Sequence, residues 1–491
     1  MGQCDAGSEN RRERAGGSAT DDRMRDLLER QRASYQGDGF PAAEIRIDRL
    51  ERAIAMVDGH RQEIVDALCS DFGHRSAHLS ELADVGSPIH TLVHAKRNVR
   101  KWMRSERPSV ELLFKLMGYK ARIDYEPLGV VGIIGPWNYP MTLIMDPLAE
   151  VLAAGNRAML KPSELTPSVA ELLARMVAGA FDETEVAVVT GGPEVGAAFS
   201  ALQFDHLMFT GSTRVGRLVM KAAADNLVPV TLELGGKSPT FVSRSFDLSL
   251  AARRIMTGKI QNSGQLCMSP DHAFVPAEQR ERFVEAAREH VARMFPTIVD
   301  NPDYTSIINE HHYRRLQGYL EDASARGASI VELNPASESF ANQTARKIPP
   351  TLILDPTDDM LVMQEEIFGP LLPVMTYQHL DEAIEYVRCH PKPLALYYFG
   401  TDADEREHLL SRTSSGGVTI NETAMQFLAP ELPFGGVGAS GIGKYRGIHG
   451  FRNFSNARGI AALPCLAPPS PMEPPYGRAV KLLTRVVGRI S

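Results

Sequence analysis

Residues 129–162, "GVVGIIGPWNYPMTLIMDPLAEVLAAGNRAMLKP", decide the fold class. A short apolar run, a longer apolar stretch closed by Gly155 and a second short run predict strand, helix and strand. The alternation continues to about residue 234 and resumes after Gly235 and Gly236, as far as about residue 420. Short apolar strands that alternate with helices predict parallel sheets covered on both faces. The chain therefore has an α/β fold with two successive α/β units.

Composition excludes several classes of protein. The chain has 491 residues and a net charge of −7, with no long block of one sign, which argues against nucleic acid as a partner. No apolar run reaches the roughly 18 residues of a membrane span, and the N-terminus has no secretory core segment. The cysteines are odd in number and scattered, so no disulfide framework or metal-ligand pair is visible: Cys4, Cys69, Cys267, Cys389 and Cys465. The sequence therefore predicts a protein of a reducing compartment, the cytoplasm. It predicts no metal site.

The two ends of the chain differ from the middle. We expect residues 1–20 to form a disordered tail and residues 22–105 to be mostly helical. Residues 461–491 read as a proline-rich arm that ends in a basic amphipathic helix, with Arg478, Lys481, Arg485 and Arg489 at helical spacing. Such a helix either contacts a membrane surface or docks on protein. Docking is favoured, because the helix is short.

Three polar residues stand where a reacting group would be useful. Cys267 lies in "NSGQLCMSP", a polar bend after a helical run, which indicates an exposed, reactive thiol rather than a core cysteine. Asn138 lies in a proline-bounded turn after a strand, where its amide can donate to an oxyanion or form an Asx-type turn. Glu233 ends an apolar strand, where a carboxylate is costly unless it is paired, wet or functional.

Two strand-to-helix turns are typical of nucleotide sites. In "FTGSTRVG", Gly211 and Gly216 let the backbone approach a ligand, and the following helix offers free N–H groups to a phosphate. In "LKPSE", Lys161 and Glu164 follow a strand at the carboxyl edge, where open α/β sheets bind nucleotides. Taken alone, the first pattern also fits an ordinary turn and the second a solvated surface lysine.

In order along the chain, these motifs resemble the aldehyde dehydrogenase superfamily over about residues 45–460. The motifs are G-P-W-N-Y-P, L-K-P-S-E, F-T-G-S-T-x-V-G, L-E-L-G-G-K-S-P, G-Q-x-C, E-E-I-F-G-P and P-F-G-G. "WNYP" and "LPFGGVGASGIGKYRGIHGFRNFS" are similar to the class 3 branch. "AMLKPSELTP", "DNPDYTSIIN" and "EEIFGPLLP" are similar to its bacterial coniferyl aldehyde dehydrogenases.

The resemblance implies a domain plan and a homodimer. A Rossmann-like NAD-binding domain would comprise residues 21–115 and 133–234, and a catalytic domain residues 235–420. Residues 116–132 and 421–460 would form a bridging element through which two copies pair.

It also implies a role for each site residue. Cys267 is the nucleophile, Glu233 the general base that activates water, and the Asn138 amide with the Cys267 N–H holds the oxyanion. The cofactor set comprises Lys161 and Glu164 at the adenosine ribose, Gly211, Ser212 and Gly216 at the pyrophosphate, Glu366 at the nicotinamide ribose and Phe368 beside the nicotinamide. In the alternative interpretation, neither residue binds the cofactor: Glu366 belongs to a capped turn and Phe368 is a ring of the hydrophobic core. Glu164 would repel a 2′-phosphate, which favours NAD and leaves NADP open.

The implied reaction is oxidation of an aldehyde to a carboxylic acid, with coniferaldehyde to ferulate as the expected case. A fatty or broad-specificity enzyme is the alternative, because Leu266 and the loop at 421–430 depart from the family pattern. A CoA-acylating relative would not need Glu233. A non-catalytic homologue would have lost Cys267, Glu233 or Asn138, and all three are present.

Overall fold

The computed structural model describes residues 6–116, 118–341, 343–465 and residue 474. The N-terminal region is helical: α1 (Ala6–Asp38), α2 (Ala43–Gly59), α3 (Arg61–Phe72), α4 (Ala77–Ser80), a π-helical turn (Glu81–Gly86), α5 (Ser87–Trp102) and α6 (Leu112–Leu116). The expected disordered tail at residues 1–20 is corrected from Ala6 onward, where α1 begins. Apolar periodicity starts only near the buried Met24, so it does not reveal a helix made of polar residues.

The first sheet begins after β1 (Lys120–Pro127) and follows the predicted alternation. Its elements are β2 (Val130–Ile134), α7 (Thr142–Ala154), β3 (Arg157–Lys161), α8 (Pro167–Ala180), β4 (Val186–Val188), α9 (Pro193–Ser200), β5 (His206–Gly211), α10 (Thr213–Ala224) and β6 (Val230–Leu234). These five strands are parallel, in the order β6-β5-β2-β3-β4. Helix α7 is buried along its whole length and stops at Gly155, whose φ of 94° suits glycine.

The second sheet repeats this construction. Its elements are β7 (Pro239–Val242), α11 (Leu248–Ile260), a 3₁₀ turn (Gln261–Gly264), β8 (His272–Pro276), a second 3₁₀ turn (Ala277–Gln279), α12 (Arg280–Met294), α13 (Glu310–Ala325), β9 (Ser329–Glu332), β10 (Thr351–Leu354), α14 (Leu361–Gln364), β11 (Leu371–Tyr377), α15 (Leu380–Cys389), β12 (Ala395–Phe399), α16 (Ala403–Arg412) and β13 (Gly417–Ile420). The strand order is β13-β12-β7-β8-β11-β10-β9, and of these strands β9 runs antiparallel.

The last described segment links the two sheets. It contains α17 (Met425–Leu428), β14 (Gly441–Ile442), α18 (Gly447–Asn453) and β15 (Ser455–Ala462). Strand β14 returns to the first sheet, antiparallel to β6, so Gly441 faces Glu233. Strand β15 pairs with β1 over eight positions, from Lys120 with Ala462 to Pro127 with Ser455.

Two sequence expectations concern the chain ends. The basic helix expected near residues 478–490 lies outside the described residues. Among the helices that are described, none has the length and apolar character needed to cross a membrane.

Candidate active site

A turn with unusual backbone geometry precedes Cys267. Asn262, Ser263 and Gly264 have φ values of 51°, 52° and 74°, three left-handed residues in succession. A Cβ at residue 264 would overlap the carbonyl oxygen of Gly369, so only glycine fits. The turn therefore ends α11 abruptly and places the Cys267 segment against the loop that carries Glu366.

The polar residues before Cys267 clamp this turn. The Gln265 side chain is fully buried and donates from Nε2 to Asn262 O at 2.9 Å and to Ser306 O at 3.0 Å. Its Oε1 accepts a hydrogen bond from Ile308 N at 3.0 Å. Cys267 follows and is partly buried against the core, not exposed as the sequence suggested. The polar context that looked like a surface loop is a buried hydrogen-bond network.

Burial and two nearby carboxyl groups disfavour the charged form of the thiol. Burial, chiefly, and then the charges of Glu366 and Glu233 raise the pKa of Cys267 well above its ordinary value. Burial also raises the pKa of each carboxyl group to about 8. A thiolate at residue 267 is thus favoured when these carboxyl groups are neutral or shielded.

Asn138 is aimed at the same turn. Its Nδ2 donates to Gln265 O at 3.1 Å, and because an amide carries two N–H groups, a second donor is left for a ligand. Its backbone oxygen accepts from Asn262 Nδ2 at 3.2 Å and from Arg75 Nη1 at 2.7 Å. The structure therefore brings Asn138 to the turn that precedes Cys267.

Arg75 and Asp84 support Asn138 and were not predicted from the sequence. Their side chains are fully buried and form an ion pair at 2.6 Å. The other Asp84 oxygen accepts from Met141 N at 3.1 Å and Thr142 N at 3.3 Å, where α7 begins. Both residues lie in the region that the sequence predicts to be mostly helical. Their charge was the one feature that set them apart there, so their burial could not be predicted.

Glu233 points its carboxyl group into a space closed by the 434–444 segment. The side chain is buried, and neither oxygen has a hydrogen-bond partner among the described residues. A Cβ on Gly435 would lie 2.7 Å from Glu233 Oε1, so the glycine makes room for the carboxyl. The half-buried Lys444 acts on it as a positive charge and lowers its pKa, against the larger effect of burial.

The predicted phosphate turn forms between β5 and α10. Ser212 is the N-cap of α10, and its Oγ accepts from Val215 N at 3.3 Å. Strand β5 ends at Gly211, and α10 begins at Thr213. The first backbone N–H groups of α10 therefore face the carboxyl edge of the sheet. Gly216 instead allows close helix packing, since a Cβ there would lie 2.6 Å from Leu234 Cδ2.

Lys161 and Glu164 lie two strands away along the same edge. Lys161 is buried at the end of β3, and its Nζ donates to Gly191 O at 2.8 Å and Pro162 O at 3.0 Å. Its third contact is Glu164 Oε2 at 3.4 Å. Glu164 is partly exposed, so its carboxylate is accessible to a ligand.

Glu366 and Phe368 lie on one loop against the nucleophile turn. The Glu366 carboxyl covers Gly235, where a Cβ would overlap it. Phe368 has a φ of 49°, and its ring meets Trp137 edge-on at 5.3 Å. The loop is held by Asp271, which accepts from Ile367 N at 3.0 Å and pairs with Lys237. The strained backbone and the anchoring of Ile367 by Asp271 favour a functional loop over a simple capped turn.

Comparisons with known proteins identify the family. Residues 28–460 match the Aldehyde dehydrogenase family. A "Probable coniferyl aldehyde dehydrogenase" of Caulobacter vibrioides is 52% identical, over 93% of this chain and 95% of the relative. A "Coniferyl aldehyde dehydrogenase" of a Pseudomonas species is 49% identical, over 94% of this chain and 95% of the relative.

A solved structure shares the fold. The aldehyde dehydrogenase of Mycobacterium tuberculosis complexed with NAD⁺ superposes with a TM-score of 0.79 at 27% identity, over 90% of each chain. The family resemblance and the fold class inferred from the sequence are therefore confirmed. This chain belongs to the aldehyde dehydrogenase family.

Proposed function

We propose that this chain oxidises coniferaldehyde to ferulate with NAD, with Cys267, Asn138 and Glu233 in the roles that the family resemblance implies. One observation carries the proposal. The buried, unpartnered carboxyl of Glu233 is coupled electrostatically to the Cys267 thiol, and the Asn138 amide is directed to the same turn. A nucleophile, a base and an oxyanion donor together fit acyl chemistry on an aldehyde.

The first step joins the aldehyde to the chain. The thiol of Cys267 gives its proton to solvent water, and the thiolate sulfur forms a bond to the aldehyde carbon while the C=O π electrons move to oxygen. The Asn138 amide and the Cys267 N–H donate to that oxyanion. One such donor contributes about 2.7–4 kcal/mol in comparable acyl transfer.

The residues present fit NAD. Its pyrophosphate fits at Gly211, Ser212 and the N-terminus of α10, with Gly216 allowing the helix to pack closely. Lys161 and Glu164 would hold the adenosine ribose, Glu366 the nicotinamide ribose, and Phe368 the nicotinamide ring. The orphaned Oε1 of Glu366 supports this, because a buried acceptor calls for a donor. When bound, NAD supplies the hydride acceptor that converts the cysteine adduct to a thioester.

Glu233 completes the reaction. Its carboxylate takes a proton from water, and the water oxygen adds to the thioester carbon. The C–S bond then breaks with its electron pair staying on sulfur, which frees the carboxylic acid and returns Cys267 as a thiolate, and Glu233 passes its proton to solvent water. A carboxyl group with a pKa near 8 is a well-matched base at slightly alkaline pH.

Further proposals concern substrate, cofactor and assembly. The names of the two relatives support coniferaldehyde. The exposed Met425 and Leu428 in the 421–430 loop and Leu432 next to it support the alternative, a larger apolar aldehyde. The partly exposed Glu164 supports NAD over NADP.

We also retain the domain plan, a cytoplasmic location and a homodimer as proposals. The thiols of the described cysteines are all free, as a reducing compartment would keep them. Strand β15 is largely exposed, which supports pairing of two copies through the element that it forms with β1.

The deciding experiment compares kcat/KM for coniferaldehyde and a long-chain alkanal, with NAD, by NADH absorbance. A clear preference for coniferaldehyde supports the proposal. A preference for the alkanal keeps the mechanism and replaces the substrate. Absence of NADH from both would refute the proposed function.

A further inference from the structure

Lys444 lies beside the carboxyl group of Glu233, held from a different part of the chain. Its Nζ donates to Gly416 O at 3.2 Å and also to Gly435 O. A Cβ on Gly435 would lie 2.9 Å from Lys444 Cδ and 2.7 Å from Glu233 Oε1. The lysine stem and the carboxyl group therefore flank the same glycine, with the ammonium anchored by two carbonyl oxygens.

The surroundings of Glu233 make this charge significant. Among the described residues, the titratable side chains that act on the carboxyl are Lys444, Cys267 and Tyr445. The thiol and the phenol bring no positive charge, neither carboxyl oxygen has a side-chain hydrogen-bond partner, and the backbone N–H of Gly436 has a smaller effect on the pKa of Glu233 than Lys444. Lys444 is thus the source of positive charge that faces the carboxyl of Glu233 in this part of the structure.

We propose that Lys444 is a positioning residue for thioester hydrolysis: its anchored ammonium favours the carboxylate form of Glu233 and so sets the pH at which hydrolysis begins. The inference rests on the proposed role of Glu233 as general base. Burial raises the pKa of Glu233 to about 8, and Lys444 opposes that rise. Loss of the ammonium therefore moves the pKa of Glu233 further up, and less carboxylate is present at neutral pH.

The test is a single-turnover comparison of Lys444→Met with the wild type. With enzyme in excess over aldehyde, NADH absorbance reports formation of the thioester, and acid quenching reports release of the carboxylic acid. We expect NADH formation within about 2-fold of wild type, since Lys444 acts on the later step. Acid release should slow about 10-fold at pH 7, with its midpoint shifted up by about 1 pH unit. At high pH the two rates should converge.

Two further variants sharpen the comparison. Lys444→Arg keeps the charge and should restore the wild-type midpoint. Lys101→Met removes one exposed positive charge at the end of α5 and should leave the midpoint unchanged. NAD affinity and thermal melting, measured for each variant, identify any loss caused by misfolding.

Three results would overturn the inference. One is an unchanged midpoint in Lys444→Met. Another is a loss of acid release in Lys444→Met that is the same at every pH and also occurs in Lys444→Arg, because this indicates a purely structural lysine. The third is slowed NADH formation with normal acid release. Failure of the underlying function is distinguishable: wild-type rates of acid release in Glu233→Gln would remove Glu233 as the base, whatever Lys444 does.

Discussion

Replacing Arg75 by methionine should destabilise the fold and slow catalysis by two separable routes. The guanidinium pairs with Asp84 at 2.6 Å, with both side chains fully buried, and donates to Asn138 O at 2.7 Å. Methionine keeps most of the volume between the Phe72 and Tyr139 rings, which lie 4.7 Å and 4.8 Å from the guanidinium carbon. The substitution therefore removes mainly charge and hydrogen bonds.

The magnitude follows from the burial of the pair. Removing one partner leaves an uncompensated carboxylate in the interior, which costs about 3–5 kcal/mol of unfolding free energy. Catalysis falls for another reason, since Asn138 O loses the shorter of its two hydrogen bonds and keeps only the one from Asn262 Nδ2 at 3.2 Å. A displacement of about 1 Å in a catalytic group reduces the rate by up to about 100-fold, so we expect kcat to fall about 10- to 100-fold.

A double variant separates the two effects. Arg75→Met with Asp84→Asn removes both charges, and the asparagine oxygen can still accept from Met141 N and Thr142 N. Urea unfolding should show that most of the lost stability returns, because no buried charge is left unpaired. The kcat for NADH formation should stay low, because Asn138 O still lacks the hydrogen bond from Arg75.

The matched control is Arg388→Met, which breaks an ion pair of 2.7 Å with Glu385 between half-exposed side chains. It should cost less than about 1 kcal/mol and leave kcat unchanged. Wild-type kcat in Arg75→Met would refute the positioning of Asn138 by Arg75. Recovery of kcat together with stability in the double variant would refute the separation of the two routes.

Three other predictions follow from the site. Cys267→Ala should abolish NADH formation while calorimetry shows unchanged NAD affinity; surviving activity would exclude the thiol as nucleophile. Glu164→Gln should raise kcat/KM with NADP relative to NAD, because a partly exposed carboxylate no longer opposes a 2′-phosphate; an unchanged ratio would place the ribose elsewhere. Gly264→Ala should lose about 2–5 kcal/mol of unfolding free energy in urea, from the left-handed φ of 74° and the overlap with Gly369 O, whereas Gly179→Ala, in open space on α8, should not destabilise.

Most secondary structure was predictable because it follows local periodicity. The apolar run before Pro162 is β3, and the longer apolar stretch that Gly155 closes is α7. The N-terminal part of α1 was missed, because a polar helix has no apolar stripe to detect. The prediction that Cys267 is exposed was wrong for a related reason. Polar residues indicate a surface loop only when their hydrogen-bond partners are water molecules. Here the partners of Gln265 are backbone groups from residues 306 and 308.

The positions of the candidate catalytic residues required the tertiary structure. Sequence reasoning marked Glu233 as a carboxyl in need of an explanation, but the explanation lies in a distant segment. The two-residue strand β14 places Gly441 opposite Glu233. That register brings Gly435 and Lys444 around the carboxyl group. Glu233 itself is held by the pairing of β6 with β5, so a shift of one residue in the β14 pairing would leave the carboxyl in place and displace Gly435 and Lys444 from it. The environment of the proposed base therefore depends on a short antiparallel pairing that no local pattern in the sequence specifies.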